Sequence, residues 1–145
     1  MIRRFFLIWL LLFALLHAND IDLDKVVNNA KISNKHVLIF LHITGCEYCE
    51  KMIEFTFDDE KVAAAIQKDF IFLDINVKDE GDINFGNFKG TKMAFAKYID
   101  YNMYPSSVFF DAEGELVFAV MGYSDESKYL KTLKFVSSKT YNEID

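Results

Sequence analysis

Proline, tryptophan and cysteine are nearly missing from this chain: one Pro (Pro105), one Trp (Trp9) and two Cys (Cys46 and Cys49) occur among 145 residues. A single Pro excludes a Pro-rich linker, and neither an internal repeat nor a low-complexity tract is visible, so the chain reads as one domain. Two cysteines cannot make a disulfide framework, and a chain of this length buries a sufficient core without one. Positive charge is also short, with 16 Lys and Arg against 22 Asp and Glu, net −6. A surface of that sign repels nucleic acid and anionic lipid, and no nucleic-acid partner is expected.

Long apolar runs are confined to the start, where Phe5 to Leu16 follow Arg3 and Arg4. That run is too short for the ~20 residues a spanning helix needs. A charged start, an apolar core and a small residue at Ala18 make the pattern of a secretory signal over residues 1–18. Cleavage after Ala18 leaves a domain at 19–145; an uncleaved membrane anchor is the alternative. Removing Arg3 and Arg4 leaves 14 basic residues against 22 acidic ones, a formal charge of −8. The chain is therefore expected to be periplasmic or otherwise exported. In such an oxidising compartment free thiols do not persist unless something reduces them.

What remains alternates between strand and helix patterns. Ile21, Leu23, Val26, Val27 and Ala30 recur at helical spacing behind Asp20 or Asp22 as N-cap, and Lys31 to Lys35 break the pattern. Val37 to Leu41 is a continuous apolar run, and Phe70 to Ile75 is apolar except at Asp74; both are patterns expected in strands covered on both faces. Between them, Met52, Ile53, Phe55 and Phe57 suggest a helix broken at Asp58-Asp59 and continued through Val62, Ala65 and Ile66, which completes a βαβ unit. Residues 77–90 carry Gly81, Gly86 and Gly90 among polar residues and read as turns, with a short helix over Thr91 to Ile99. Ser107 to Phe110 and Leu116 to Val120 flank a Gly-containing spacer and form a hairpin; Asp125 caps a last helix with Leu130, Leu133 and Val136 on one face. The fold class is α/β, a mixed sheet of at least four strands with helices on both faces.

Both cysteines lie in Gly45-Cys46-Glu47-Tyr48-Cys49-Glu50, immediately after the first covered strand. Sites in such sheets form beyond the carboxyl ends of strands, where the next helix presents its amides. Gly45 permits a sharp turn, and the helix start favours a thiolate at Cys46. Cys49, one turn on, can resolve a mixed disulfide formed at Cys46. Other readings stand beside this one. A structural bridge over so small a loop removes little chain entropy. Copper or zinc delivery would use the two thiols and His42 or His36, short of the four ligands structural zinc prefers. Haem attachment needs His where Glu50 stands, and no cofactor is expected. A redox-inert adhesin or chaperone would show exposed aromatics. Phe85, Phe88 and Phe95 form either an apolar rim for a client or a satellite cluster beneath a loop.

The cysteine motif, Tyr104-Pro105 opening the hairpin, and Met121-Gly122-Tyr123 closing it resemble the thioredoxin superfamily, and within it the exported SoxW-like thioredoxins. The resemblance covers roughly Lys35 to Ser138. It implies a thioredoxin fold and a protein thiol-disulfide oxidoreductase with Cys46 and Cys49 as catalytic residues. It further implies a cis bond before Pro105, with Tyr104, Pro105 and Gly122 binding an extended substrate segment. Disulfide-containing client proteins and a membrane thiol-conduit reductant are the implied partners. The chain departs from the family at three positions: Phe40 stands where a buried Asp usually serves as proton relay, Phe72 where its Lys partner stands, and Gly45 where Trp precedes the first cysteine. Deprotonation of Cys49 then falls to water, substrate or another group. His42 is one candidate, a packed or solvated strand-end residue the other reading. Glu47 between the cysteines disfavours the thiolate and points to a reducing pair, which Lys51 and the helix dipole oppose.

Overall fold

The computed structural model of the protein describes residues 19–143; the leader expected at 1–18 lies outside them. Strand β2 (His36–His42) is central, pairing in parallel with β3 (Phe70–Asn76) and antiparallel with β6 (Ser106–Phe110). Beyond β6 lies β7 (Leu116–Met121), so the main sheet runs β3-β2-β6-β7. This is the mixed four-stranded sheet of a thioredoxin fold. Residues Val37 to Leu41 are fully buried because both faces of β2 are covered. One face meets α1 (Leu23–Ser33) and α4 (Lys92–Tyr98), through Leu23, Ala30, Phe95 and Ala96. The other meets α3 (Glu60–Asp69) and α5 (Glu126–Ser137), through Val62, Ile66, Tyr129, Leu133 and Val136.

The helix starts are chemically legible. Asp22 caps α1 by accepting from the Lys25 amide, Asp59 caps α3, and Asp125 caps α5 through the Lys128 amide. Helix α1 runs three residues into the expected polar break and stops at Asn34, whose φ of 53° is the left-handed conformation Asn tolerates. No helix among the described residues is long and apolar enough to cross a membrane.

Two expectations are corrected. The turn-rich stretch after Val77 holds a hairpin, β4 (Asp82–Phe85) and β5 (Phe88–Thr91), joined through Gly86 and Asn87. Gly86, at φ +56°, takes the first central position, which the favoured two-residue hairpin turns reserve for a positive φ. A two-residue strand β1 (Ile21–Asp22) pairs in parallel with β4 and completes a second, three-stranded sheet. Phe85, Phe88 and Phe95 are accordingly a packed cluster and not a rim: Phe95 is fully buried, with Phe85 6.2 Å and Phe88 5.7 Å from it, centroid to centroid. The second correction concerns β3. It is an edge strand, so Phe72 and Asp74 emerge into solvent where both faces were expected to be covered.

At the far end of β2, His36 is buried and its Nε2 lies 2.9 Å from the Tyr141 hydroxyl. Burial pushes the imidazole pKa down, Lys139 adds to this, and Asp111, Asp69 and Glu113 oppose it. The unfolded chain therefore takes up this proton first: stability is intact above the unfolded value of about 6.5 and falls as pH drops through it toward the lower folded value. Replacing His36 by Phe should reduce the stability lost between neutral and mildly acid pH, measured by urea denaturation. An acid loss as large as the wild-type one would show that His36 does not contribute to it.

Candidate functional site

The segment from Ile43 to Gly45 leads from the end of β2 into the helix that carries both cysteines. Gly45, at φ +76°, makes the turn, a conformation strained for any residue with a Cβ. Cys46 is then the N-cap of α2 (Glu47–Lys51), in extended conformation; its Sγ accepts from the Cys49 amide at 3.2 Å and its carbonyl from the Glu50 amide at 3.0 Å. Cys46 and Cys49 are joined by a disulfide, with their Cα atoms 5.2 Å apart. Their environments differ: Cys46 is half-buried, whereas Cys49 is 1% exposed. The first sulfur faces a visitor; the second lies beneath it.

The helix does not stop at Lys51. It continues as a π-helical segment, Met52–Phe57, before α3. Short π segments are uncommon and gather at functional sites. Here the widened turn lets two of its residues hold one loop. Thr56 donates its hydroxyl to the Ser124 carbonyl at 2.7 Å, and the Met52 sulfur accepts from the Ser124 amide at 3.3 Å. The buried hydroxyl–carbonyl bond is worth about 0.5–1.5 kcal/mol net.

That loop also holds Gly122 and Tyr123. The Gly122 amide donates to the Pro105 carbonyl at 2.7 Å, and the Tyr104–Pro105 peptide bond is cis. Tyr123 stands 6.3 Å from Tyr48 of the cysteine helix, ring centre to ring centre. Cysteine helix, Gly122 and Pro105 thus belong to one connected structure, although Pro105 and Gly122 are remote from Cys46 in sequence. Nothing lies within 4 Å of where a Cβ on Gly122 would project, and Gly122 has φ +85°. Pro105 is buried, and burial pushes the half-buried Tyr104 phenol pKa up.

Two features were missed by the sequence reading. Tyr48, Met103, Met121 and Tyr123 are exposed large side chains on α2 or flanking Pro105 and Gly122. Only the positions of Met121 and Tyr123 on either side of Gly122 hinted at this. The other is a close polar contact, His42 Nε2 to Asp74 Oδ1 at 2.6 Å, across β2 and β3. Phe40 is fully buried, its ring 4.7 Å from Phe57 and 5.1 Å from the stacked His42 ring. Phe72 lies 5.2 Å from Phe57. Among the described residues no group of three or more His, Cys, Asp or Glu is placed to hold a metal ion.

This fold and site define the thioredoxin class. The thioredoxin-like domain family matches residues 23–137, and the chain belongs to that family. No curated protein matches it. Among solved structures it is similar to a thioredoxin from Thermus thermophilus, at 20% identity over 82% of this chain and 86% of that one, TM-score 0.66. A thioredoxin-fold protein from Helicobacter pylori aligns at 20% identity over 77% and 74%, TM-score 0.64. A DsbH oxidoreductase aligns at 13% identity over 90% of each chain, TM-score 0.61.

The charge beside Cys46 comes from Glu47, whose carboxylate lies 2.8 Å from Lys51 Nζ; hydrogen bonding and attraction to Lys51 hold its pKa down, so it is ionised at neutral pH. Replacing Glu47 by Gln removes a negative charge and frees Lys51, and both changes favour a Cys46 thiolate. The Cys46 pKa of the reduced protein should fall by about half a unit, followed by ultraviolet thiolate absorbance. A rise on this substitution would mean that Glu47 does not act on Cys46 through its charge.

Proposed function

We propose that the protein is an exported thiol-disulfide oxidoreductase that reduces or isomerises disulfides of client proteins. The observation that carries this reading is the unequal exposure of Cys46 and Cys49 at the start of one helix. The Cys46 thiolate attacks a client disulfide, one client sulfur leaves, and a mixed disulfide forms. Cys49 then attacks Cys46, releasing the second client sulfur and closing the Cys46–Cys49 bridge. Buried beside its partner, Cys49 reaches only a sulfur already attached to Cys46, so it resolves and does not initiate. In isomerisation the released client thiolate attacks elsewhere on the client before Cys49 acts.

Tyr104, Pro105 and Gly122 form the floor for an extended client segment: the Tyr104 backbone pairs with it, and the open space over Gly122 accommodates its main chain. The exposed side chains Tyr48, Met103, Met121 and Tyr123 offer it apolar contact. The reducing direction rests on Glu47, which leaves the Cys46 pKa nearer 7 than 4, in the range of thioredoxin. A reductase in an oxidising compartment needs its dithiol regenerated, and a membrane thiol conduit is the partner that fits. Export rests on the leader at 1–18 and on the resemblance to SoxW-like thioredoxins.

Trapping tests the reading. A Cys49→Ser variant should accumulate mixed disulfides on Cys46 in the periplasmic extract of its own host, released by dithiothreitol. Cys46→Ser should capture nothing, and it should lose the catalysis of insulin reduction that the wild-type chain should show. A wild-type chain that leaves the uncatalysed insulin rate unchanged, together with a Cys49→Ser variant that captures nothing, would contradict it.

A further inference from the structure

Resolution requires Cys49 to lose a proton while it is almost completely enclosed. A buried thiol holds its proton more tightly than an exposed one, so the deeper sulfur needs an acceptor nearby. The neighbouring residues on the covering side of β2 exclude most candidates. Leu38, Phe40 and His42 alternate onto the face that meets the Met52–Phe57 segment, α3 and α5. Leu38 and Phe40 carry no proton, and Phe40 is sealed between Phe57 and the His42 ring. From the helical segment, Cys49, Met52 and Thr56 form the buried stripe; Met52 and Thr56 are occupied with Ser124. From α5, the Tyr129 hydroxyl donates to Ser107 Oγ at 2.8 Å, and burial pushes its pKa further up. From β3 comes Asp74, already against His42.

His42 is the ionisable group on this face at its cysteine end. It closes β2, four residues before Cys46, and its side chain is 14% exposed, screened from most solvent but not sealed. Asp74 settles the tautomer. A carboxylate accepts, so Nε2 carries the hydrogen, and in the neutral ring the lone pair is at Nδ1. No hydrogen bond to Nδ1 occurs among the described residues, so that lone pair is free for a proton. Stacking on Phe40 fixes the ring plane.

We propose that the His42–Asp74 pair takes the proton of Cys49 during resolution, in place of the carboxylate that Phe40 rules out. This rests on the oxidoreductase reading above. The Cys49 proton passes to His42 Nδ1, the Cys49 thiolate attacks the Cys46 sulfur, the Cys46–Cys49 bond forms as the Cys46–client bond breaks, and the departing client thiolate takes the proton from the imidazolium. The client disulfide gains two electrons, the dithiol loses two, and the proton is conserved. Asp74 acts as a positioning residue, fixing the ring and its tautomer.

The test forms the mixed disulfide of Cys46 with an aromatic thiol on the full chain at acid pH, where Cys49 keeps its proton, and follows release of that thiol by stopped flow after a jump to each pH. His42→Phe keeps an aromatic ring on Phe40; Asp74→Asn alters only a half-exposed strand residue and guards against misfolding of the first variant. His42→Phe should slow resolution about 10–100-fold near neutral pH, converging on wild type in alkali, where Cys49 ionises unaided. Asp74→Asn should slow it less. Alkylation of Cys46 should keep its wild-type pH profile in both, which a general loss of structure would not allow. Wild-type resolution rates and pH profiles in both variants would overturn the proposal while leaving the oxidoreductase reading intact. A wild-type chain that never releases the thiol would overturn both.

Discussion

Strand β2 is paired on both edges and covered on both faces, so its end at His42 is fixed from four sides. Three residues then lead to Cys46. The sulfur pair is placed by that short connection: a slip of one residue in β2 would exchange its two faces, putting Phe40 and His42 where Ile39 and Leu41 now lie. Such a slip is costly, because five consecutive fully buried residues would each lose their partners, and burying one large apolar side chain is worth about 1.5–3 kcal/mol. The rigidity of the strand is what lets one sulfur be presented and the other withdrawn.

The opposite wall of the site is held differently. Ser124 is gripped through both its amide and its carbonyl by the π-helical segment, and the same loop reaches Pro105 through Gly122. The wall that would meet a client is thus tied to the helix that carries the sulfurs by polar bonds as well as by the Tyr48–Tyr123 contact. The replacement of an acid by Phe40 fits the same economy of contacts. A carboxylate there would be enclosed by Phe57, Leu38 and Met52, and an isolated buried charge is expensive. The ring instead joins the core, and the ionisable chemistry moves two residues along the strand to a position that water and Asp74 can reach.

Much of this was legible in the sequence, because the main elements announce themselves locally. Val37 to Leu41 is apolar without alternation, Asp22 and Asp125 precede periodic segments, and the two cysteines sit at a strand-to-helix junction. What escaped depends on distant partners. Strand β1 has two residues and exists because β4 lies beside it. The β4–β5 hairpin carried a sign, Gly86-Asn87 between Phe85 and Phe88, but its strands are short and polar and the surrounding glycines read as loop. Strand β3 is as apolar as β2, so its edge position was invisible until the order of strands was known. The His42–Asp74 pair joins residues 32 apart through the register of parallel strands, and Thr56 of the π-helical segment finds its acceptor 68 residues away at Ser124.

The asymmetry between the two sulfurs is most directly tested by peptide-resolved alkylation of the reduced protein at neutral pH with a limiting amount of iodoacetamide. Since Cys46 is half-buried at a helix start and Cys49 is enclosed, Cys46 should be modified at least about ten times faster. Equal labelling of both cysteines, or faster labelling of Cys49, would contradict the division of roles on which the redox reading stands.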